Sequence, residues 1–219
     1  MHIEFIVEEL SAETALDNLV PRILGPECTF SIHPYQGKKD LLSKLPVRLR
    51  GYRSWLPPDW RIVVLADCDA DECRQLKTMV EGIARREGFF TRATPDGQGA
   101  FTVVTRLAIE ELEAWFFGDV EAIAAAYRGV PPSLSKRQSF RDPDRIAGGT
   151  WEALERVLQR AGHHLGGLNK IIAARDISAH MEPGRNRSRS FQVFRDGLRS
   201  LADAGVTTGS EPAGRSTSG

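Results

Sequence analysis

The sequence predicts an α/β fold, a parallel sheet flanked by helices, with a helical C-terminal extension. Three observations carry that expectation. Short β-like runs alternate with helical periods through the first half of the chain. One of them, Arg61–Ala66, is continuously apolar, as a central strand covered on both faces must be. From about Ile109 onward the apolar spacing is helical throughout.

Taken in order, His2–Glu8 is rich in Ile, Phe and Val and reads as the first strand. Ser11 is placed to N-cap a helix from about Ala12 to Ile23. Cys28–His33 alternates apolar and polar residues, as an edge strand does. Lys39–Arg50 carries Leu41, Leu42, Leu45 and Leu49 at helical spacing. After the central strand comes a helix over about Asp71–Glu87, a turn at Pro95–Gly99 and a strand at Phe101–Arg106. Ile109–Phe117, Val120–Tyr127, Thr150–Ala161, Leu168–Ala179 and Ser190–Ala202 read as helices. The chain thus divides into an α/β domain over 1–127, a helical region over 128–203 packed on it, and a disordered tail over 204–219 with almost nothing apolar. The Pro-, Ser- and Arg-rich link Arg128–Gly149 is either a functional loop or a poorly ordered one.

Lys plus Arg equals Asp plus Glu at 29 each, but the balance is uneven: residues 1–125 hold 14 basic and 20 acidic side chains, the remainder 15 and 9. An acidic front and a basic back suit a carboxylate site beside an anion-attracting surface. No apolar run approaches the roughly 20 residues of a membrane span. Glu4, Glu8 and Glu9 stand where a signal peptide carries a basic start, so a cytoplasmic location is expected. Three cysteines without a Cys-x-x-Cys pair argue against a disulfide framework and a zinc site, and Cys68 reads as a small packed residue.

Acidic residues follow three strands: Glu8 and Glu9 after the first, Asp67, Asp69 and Asp71 after the central one, Glu110, Glu111 and Glu113 after the last. In an open parallel sheet ligands bind at the carboxyl ends of the strands. Carboxylates gathered there repel, and a divalent cation offsets this; oxygen donors without a His or Cys pattern suit Mg²⁺ or Mn²⁺. Strand alternation lets only one of Glu8 and Glu9 face the site. On a helical wheel at about 100° per residue, Glu113 falls on the apolar stripe of Ile109 and Phe117, Glu110 at its margin, and Glu111 in solvent. A carboxylate on a core-facing stripe needs a metal or an ion pair, for which Arg106 is a candidate.

Glu8 closing the first strand and Asp67-x-Asp69 after a hydrophobic strand resemble the Toprim fold of topoisomerases, bacterial primases and OLD-type nucleases. More closely, the chain resembles the bacterial family known as domain of unknown function 4276, through Glu113-Ala114-Trp115 with Asp119, Asp142-Pro143, and Ser190-Phe191, over roughly residues 1–202. The resemblance implies an Mg²⁺-dependent phosphoryl-transfer site. Glu8 would be metal ligand or general acid/base, Asp67 and Asp69 would hold metal, and Asp71 and Glu113 would complete the shell or a second metal site. The family's glycine after the first glutamate is Glu9 here, and its Tyr-x-Lys-like element appears as His163-His164-Leu165, which leaves Lys170 to supply the lysine. The resemblance further implies a nuclease serving anti-phage defence with an ATPase partner. Arg185, Arg187 and Arg189 stand in a row that can hold a nucleic-acid backbone without reading its sequence. Two competing readings are a non-catalytic, Toprim-like subunit of an ATPase complex and a haloacid-dehalogenase-type phosphatase. The phosphatase places its Asp-x-Asp on the first strand, unlike this chain.

Overall fold

The computed structural model describes residues 1–68 and 73–206. Strands β1 (His2–Val7), β2 (Thr29–Pro34), β3 (Trp60–Asp67) and β4 (Val103–Ala108) form one parallel sheet in the order β2-β1-β3-β4. Val7 pairs in register with Pro34 on one side and Leu65 on the other, and Asp67 pairs with Ala108, so the carboxyl ends align along one edge. The chain moves outward from β1 to β2, then returns to lay β3 on the other side of β1. The topological switch point therefore lies between the ends of β1 and β3, where Glu8 and Asp67 sit.

Strand alternation divides the interior in two. Ile3, Phe5 and Val7 join Val63, Leu65 and Val104 on the face covered by α1 (Leu10–Leu24). Ile6 joins Ile62, Val64 and Ala66 on the face covered by α2 (Lys38–Arg53) and α3 (Cys73–Arg86). The period-3.6 leucines Leu41, Leu45 and Leu49 are what α2 buries there, each worth roughly 1.5–3 kcal/mol relative to exposure. The later helices α4 (Glu113–Gly118), α5 (Val120–Ala126), α6 (Thr150–Arg160), α7 (Lys170–Ser178) and α8 (Arg189–Val206) extend the first core, and residues on both sides of position 127 share it. Asn18 donates to Arg175 O and Ser178 Oγ, and Arg22 to Ala179 O and Met181 O, so α7 runs beside α1 in the same direction. No helix among the described residues is long and apolar enough to cross a membrane.

Several expectations are corrected. β4 begins two residues later than the sequence suggests. The helix expected over Ile109–Phe117 shrinks to Glu113–Gly118, because Glu110 adopts a left-handed φ of 63°, which breaks the helical run. Glu9 rather than Ser11 occupies the N-cap of α1. The link 128–149 is ordered by short 3-10 turns at Pro132–Lys136, Gln138–Phe140 and Pro143–Arg145, with Leu134 and Ile146 buried. α8 continues to Val206, so the expected tail cannot start at 204; residues 207–219 lie outside the described residues. Cys68 and Cys73, with Cα atoms 5.4 Å apart, form a disulfide between the end of β3 and the start of α3. Cys28 is the free thiol.

Candidate functional site at the carboxyl edge of the sheet

Four elements bring charge to this edge. Glu8, buried at the end of β1, accepts from the backbone N–H of Lys38 at 2.9 Å and from that of Asp67 at 3.0 Å. One carboxylate thereby ties the start of α2 to the end of β3 across the switch point. Glu113 opens α4 and is 2% exposed. Glu111 accepts from Thr150 Oγ1 and from Trp151 N–H, capping α6. It is therefore held by α6 and not free in solvent, because the helix expected from Ile109 begins only at Glu113. Lys170 is the first residue of α7, whose N-cap Asn169 accepts from Ile172 N–H.

Lys170 Nζ stands 3.6 Å from Glu111 Oε1 and 3.9 Å from Glu113 Oε1. The partner of the buried glutamate is thus lysine and not Arg106, which no carboxylate among the described residues pairs. Burial pushes the Glu113 carboxyl up to about 7, only partly countered by Lys170 and reinforced by Glu111. Burial pulls the Lys170 ammonium down, yet Glu113, Glu111, Glu9 and Asp67 outweigh it and hold the pKa above its ordinary value. Lys170 stays charged at neutral pH and faces a cavity of about 590 Å³ that Glu9, Ser11, Tyr35 and Asn169 also line. Its Nζ stands over the Trp151 ring, 5.6 Å from the centroid. Glu9, which the sequence places in the first acidic cluster as the alternative to Glu8 and as a departure from the family's glycine, stands at the N-terminus of α1 and forms a wall of the cavity.

Of the residues expected to hold metal, Glu8, Asp67 and Glu113 share this edge, while Asp69 and Asp71 lie outside the described residues. Among the described residues no three His, Cys, Asp or Glu side chains group closely enough to hold an ion. The donor chemistry, all carboxylate oxygen, suits a hard cation; the described residues alone do not complete the count, and Lys170 already supplies positive charge to Glu111 and Glu113.

The other motif residues meet elsewhere. Asp144, one residue past Asp142-Pro143, accepts from Ser188 Oγ, Ser190 Oγ, Arg189 N–H and Ser190 N–H, while Trp115 Nε1 donates to Ser190 Oγ. Asn186 Nδ2 donates to Trp115 O, and Gly118 leaves room for it: a Cβ there would come within 2.0 Å of Asn186 Oδ1. These contacts latch the start of α8 onto α4. Asp119 accepts both arms of Arg185, at 2.8 and 2.9 Å, and Glu121 takes a third contact. Arg185 is thus occupied within the protein and withdrawn from the expected nucleic-acid row. The row's alternation along an extended segment leaves Arg187 and Arg189 exposed. His163 and His164 are fixed by the Arg128 carbonyl and the Tyr127 hydroxyl.

The model of a family described as a domain of unknown function (DUF4276) matches residues 7–199. Among solved structures the chain is similar to the C-terminal region of the Xanthomonas campestris pv. campestris OLD protein, at 15% identity and a TM-score of 0.48 over 94% of this chain and 96% of that one. No curated protein matches the sequence.

Proposed function

The chain belongs to the DUF4276 family, and we propose that it is a Toprim-type, metal-dependent phosphodiester hydrolase acting on DNA or RNA. What supports the reading best is Lys170, a charged ammonium facing an open cavity at the carboxyl edge and held by carboxylates from the segment after β4. Glu8, Asp67, Asp69 and Asp71 would hold Mg²⁺ or Mn²⁺, which when bound would supply charge neutralisation at a phosphoryl oxygen and an acidified water. Lys170 Nζ binds a non-bridging phosphate oxygen and opposes the charge that grows there during in-line displacement. Glu113 is too buried to reach substrate; together with Glu111 it positions Lys170. Glu8 positions the end of β3 by accepting the Asp67 amide. Arg187 and Arg189 offer exposed charge for the flanking backbone.

The test is cleavage of labelled single- and double-stranded DNA and of RNA, with Mg²⁺, Mn²⁺ or a chelator. Wild type should cut only with metal, and Asp67→Ala and Lys170→Met should each lose about 100-fold or more in rate. Equal rates in all three proteins would end the proposal.

One observation favours a second reading. Both oxygens of Glu8 already accept backbone amides, and Glu113 has a lysine in place of an ion. On this reading the carboxylates are structural and the protein is a non-catalytic subunit of an ATPase complex. Absence of Mg²⁺ binding by calorimetry, together with co-purification of an ATPase, would select it.

A further inference from the structure

A different charge arrangement lies on the outer side of β4. A cavity of about 440 Å³ opens between α3 and α8, with Arg106 of β4 in its wall. Arg106 is 7% exposed, as deep as many apolar core residues. Its Nε donates to the Val193 carbonyl and its Nη1 to the Thr105 carbonyl, while no hydrogen bond to Nη2 is made by the described residues. The position is built for the guanidinium: a Cβ on Gly197 of α8 would come within 2.3 Å of Nη2, so only glycine leaves the arginine its place.

The acids around the cavity are engaged. Glu81 accepts from Thr91 Oγ1 and has Lys77 Nζ at 3.8 Å; Asp196 is paired with Arg195. Arg92 reaches Ser200 Oγ, and no carboxylate among the described residues lies within ion-pair distance of Arg92, Arg106 or Arg189. Three guanidinium groups thus converge on one cavity whose two carboxylates, Glu81 and Asp196, are each held by another cation. Burial and then the neighbouring Arg92 pull the Arg106 pKa down to about 10, only partly countered by Glu81 across the cavity. At neutral pH Arg106 remains charged, and a buried unpaired charge is costly.

We infer that this cavity is a binding site for a phosphate oxyanion, with Arg106 at its floor and the exposed Arg92 and Arg189 at its rim. Guanidinium forks match the several oxygens of a phosphate with paired N–H donors, which a single carboxylate would not satisfy in number. Arg106 pairs in register with Leu65, two residues short of Asp67, so the site lies about 7 Å back from the acidic edge. It does not require that edge to be catalytic.

Calorimetric titration of the full chain with inorganic phosphate, and separately with a single-stranded oligonucleotide, tests the inference. Phosphate should bind wild type, and Arg106→Met should weaken it about tenfold or more. Arg92→Gln and Arg189→Gln, both at exposed positions, should weaken it severalfold without altering the fold. If the physiological source is a nucleic-acid backbone, the oligonucleotide binds more tightly than phosphate. Each substitution then lowers the salt-dependence slope by about one. If phosphate binds and the oligonucleotide does not, the site is assigned to a free phosphate compound. No phosphate binding, or binding unchanged in Arg92→Gln and Arg189→Gln, overturns the site. Loss of cleavage in Lys170→Met with phosphate binding intact separates this site from the carboxyl edge.

Discussion

Glu113 and Asp144 are buried to a similar degree, 2% and 8% exposed, on neighbouring parts of the same core, yet their surroundings differ sharply. Asp144 accepts from two hydroxyls and two backbone amides, which fix the chain around it. Glu113 has Lys170 at 3.9 Å, and burial raises its carboxyl to about 7. A carboxylate saturated with donors holds a structure together. One left short of them is destabilised in its charged form, and that is tolerated where it positions another charge. The short turn before Glu113 points the same way, since Glu110 occupies the left-handed region that non-glycine residues seldom enter.

The largest expected effect falls on the saturated carboxylate. Asp144→Ala should cost about 4 kcal/mol by denaturant unfolding, because several buried donors lose their acceptor at once. A loss below 1 kcal/mol would show that Asp144 is no latch.

Glu113→Gln should act in the opposite sense and depend on pH. In the folded protein this carboxyl binds its proton more tightly than the ordinary value of 4.5. Between pH 4.5 and 7 the folded state therefore holds a proton that the unfolded state has released, and stability falls as pH rises through that window. Wild type should lose on the order of 3 kcal/mol from this group across it. Glu113→Gln should abolish that slope and be the more stable protein at pH 8, as chemical denaturation at a series of pH values will show. Parallel profiles for the two proteins would contradict the contrast between the two carboxylates.

Removing the Cys68–Cys73 link, as Cys68→Ala with Cys73→Ala, closes no loop in the unfolded chain and should cost about 2 kcal/mol. The same double variant under reducing and oxidising conditions should show no difference in melting temperature, whereas wild type should. Smallest of all, Arg187→Ala should change stability by less than about 0.5 kcal/mol, since its side chain is exposed. Arg185→Ala, which strips the buried Asp119 of its bidentate partner, should cost about 2 kcal/mol or more. Equal effects from these two arginines would remove the distinction between a structural and an available guanidinium.

The sheet was legible because strand signals are local. The apolar run Arg61–Ala66 marks an interior strand, the alternation after Cys28 marks an edge strand, and both stand where expected. The site was legible only in outline. Acidic residues after three strands reach one edge because all strands are parallel, but the wheel that selected Glu113 was drawn over 109–117, of which only the stretch from Glu113 is helical. Glu113 is buried with the whole of α4, every residue of which lies inside. Three features gave no local sign: Glu111 capping a helix some forty residues on, Arg185 captured by Asp119, and Arg106 standing over Gly197. Each pairs residues far apart in sequence.

Composition and periodicity alone determined the α/β class, the strand order of polarity and the collection of acids at one end, since these follow from hydrophobic pattern and backbone geometry. Which carboxylate is saturated, which is starved of donors and which arginine makes no ion pair among the described residues were decided only by tertiary packing. Charge has no periodicity: its energy depends on what lies within a few ångströms and on how much water is excluded, and both are properties of the folded chain.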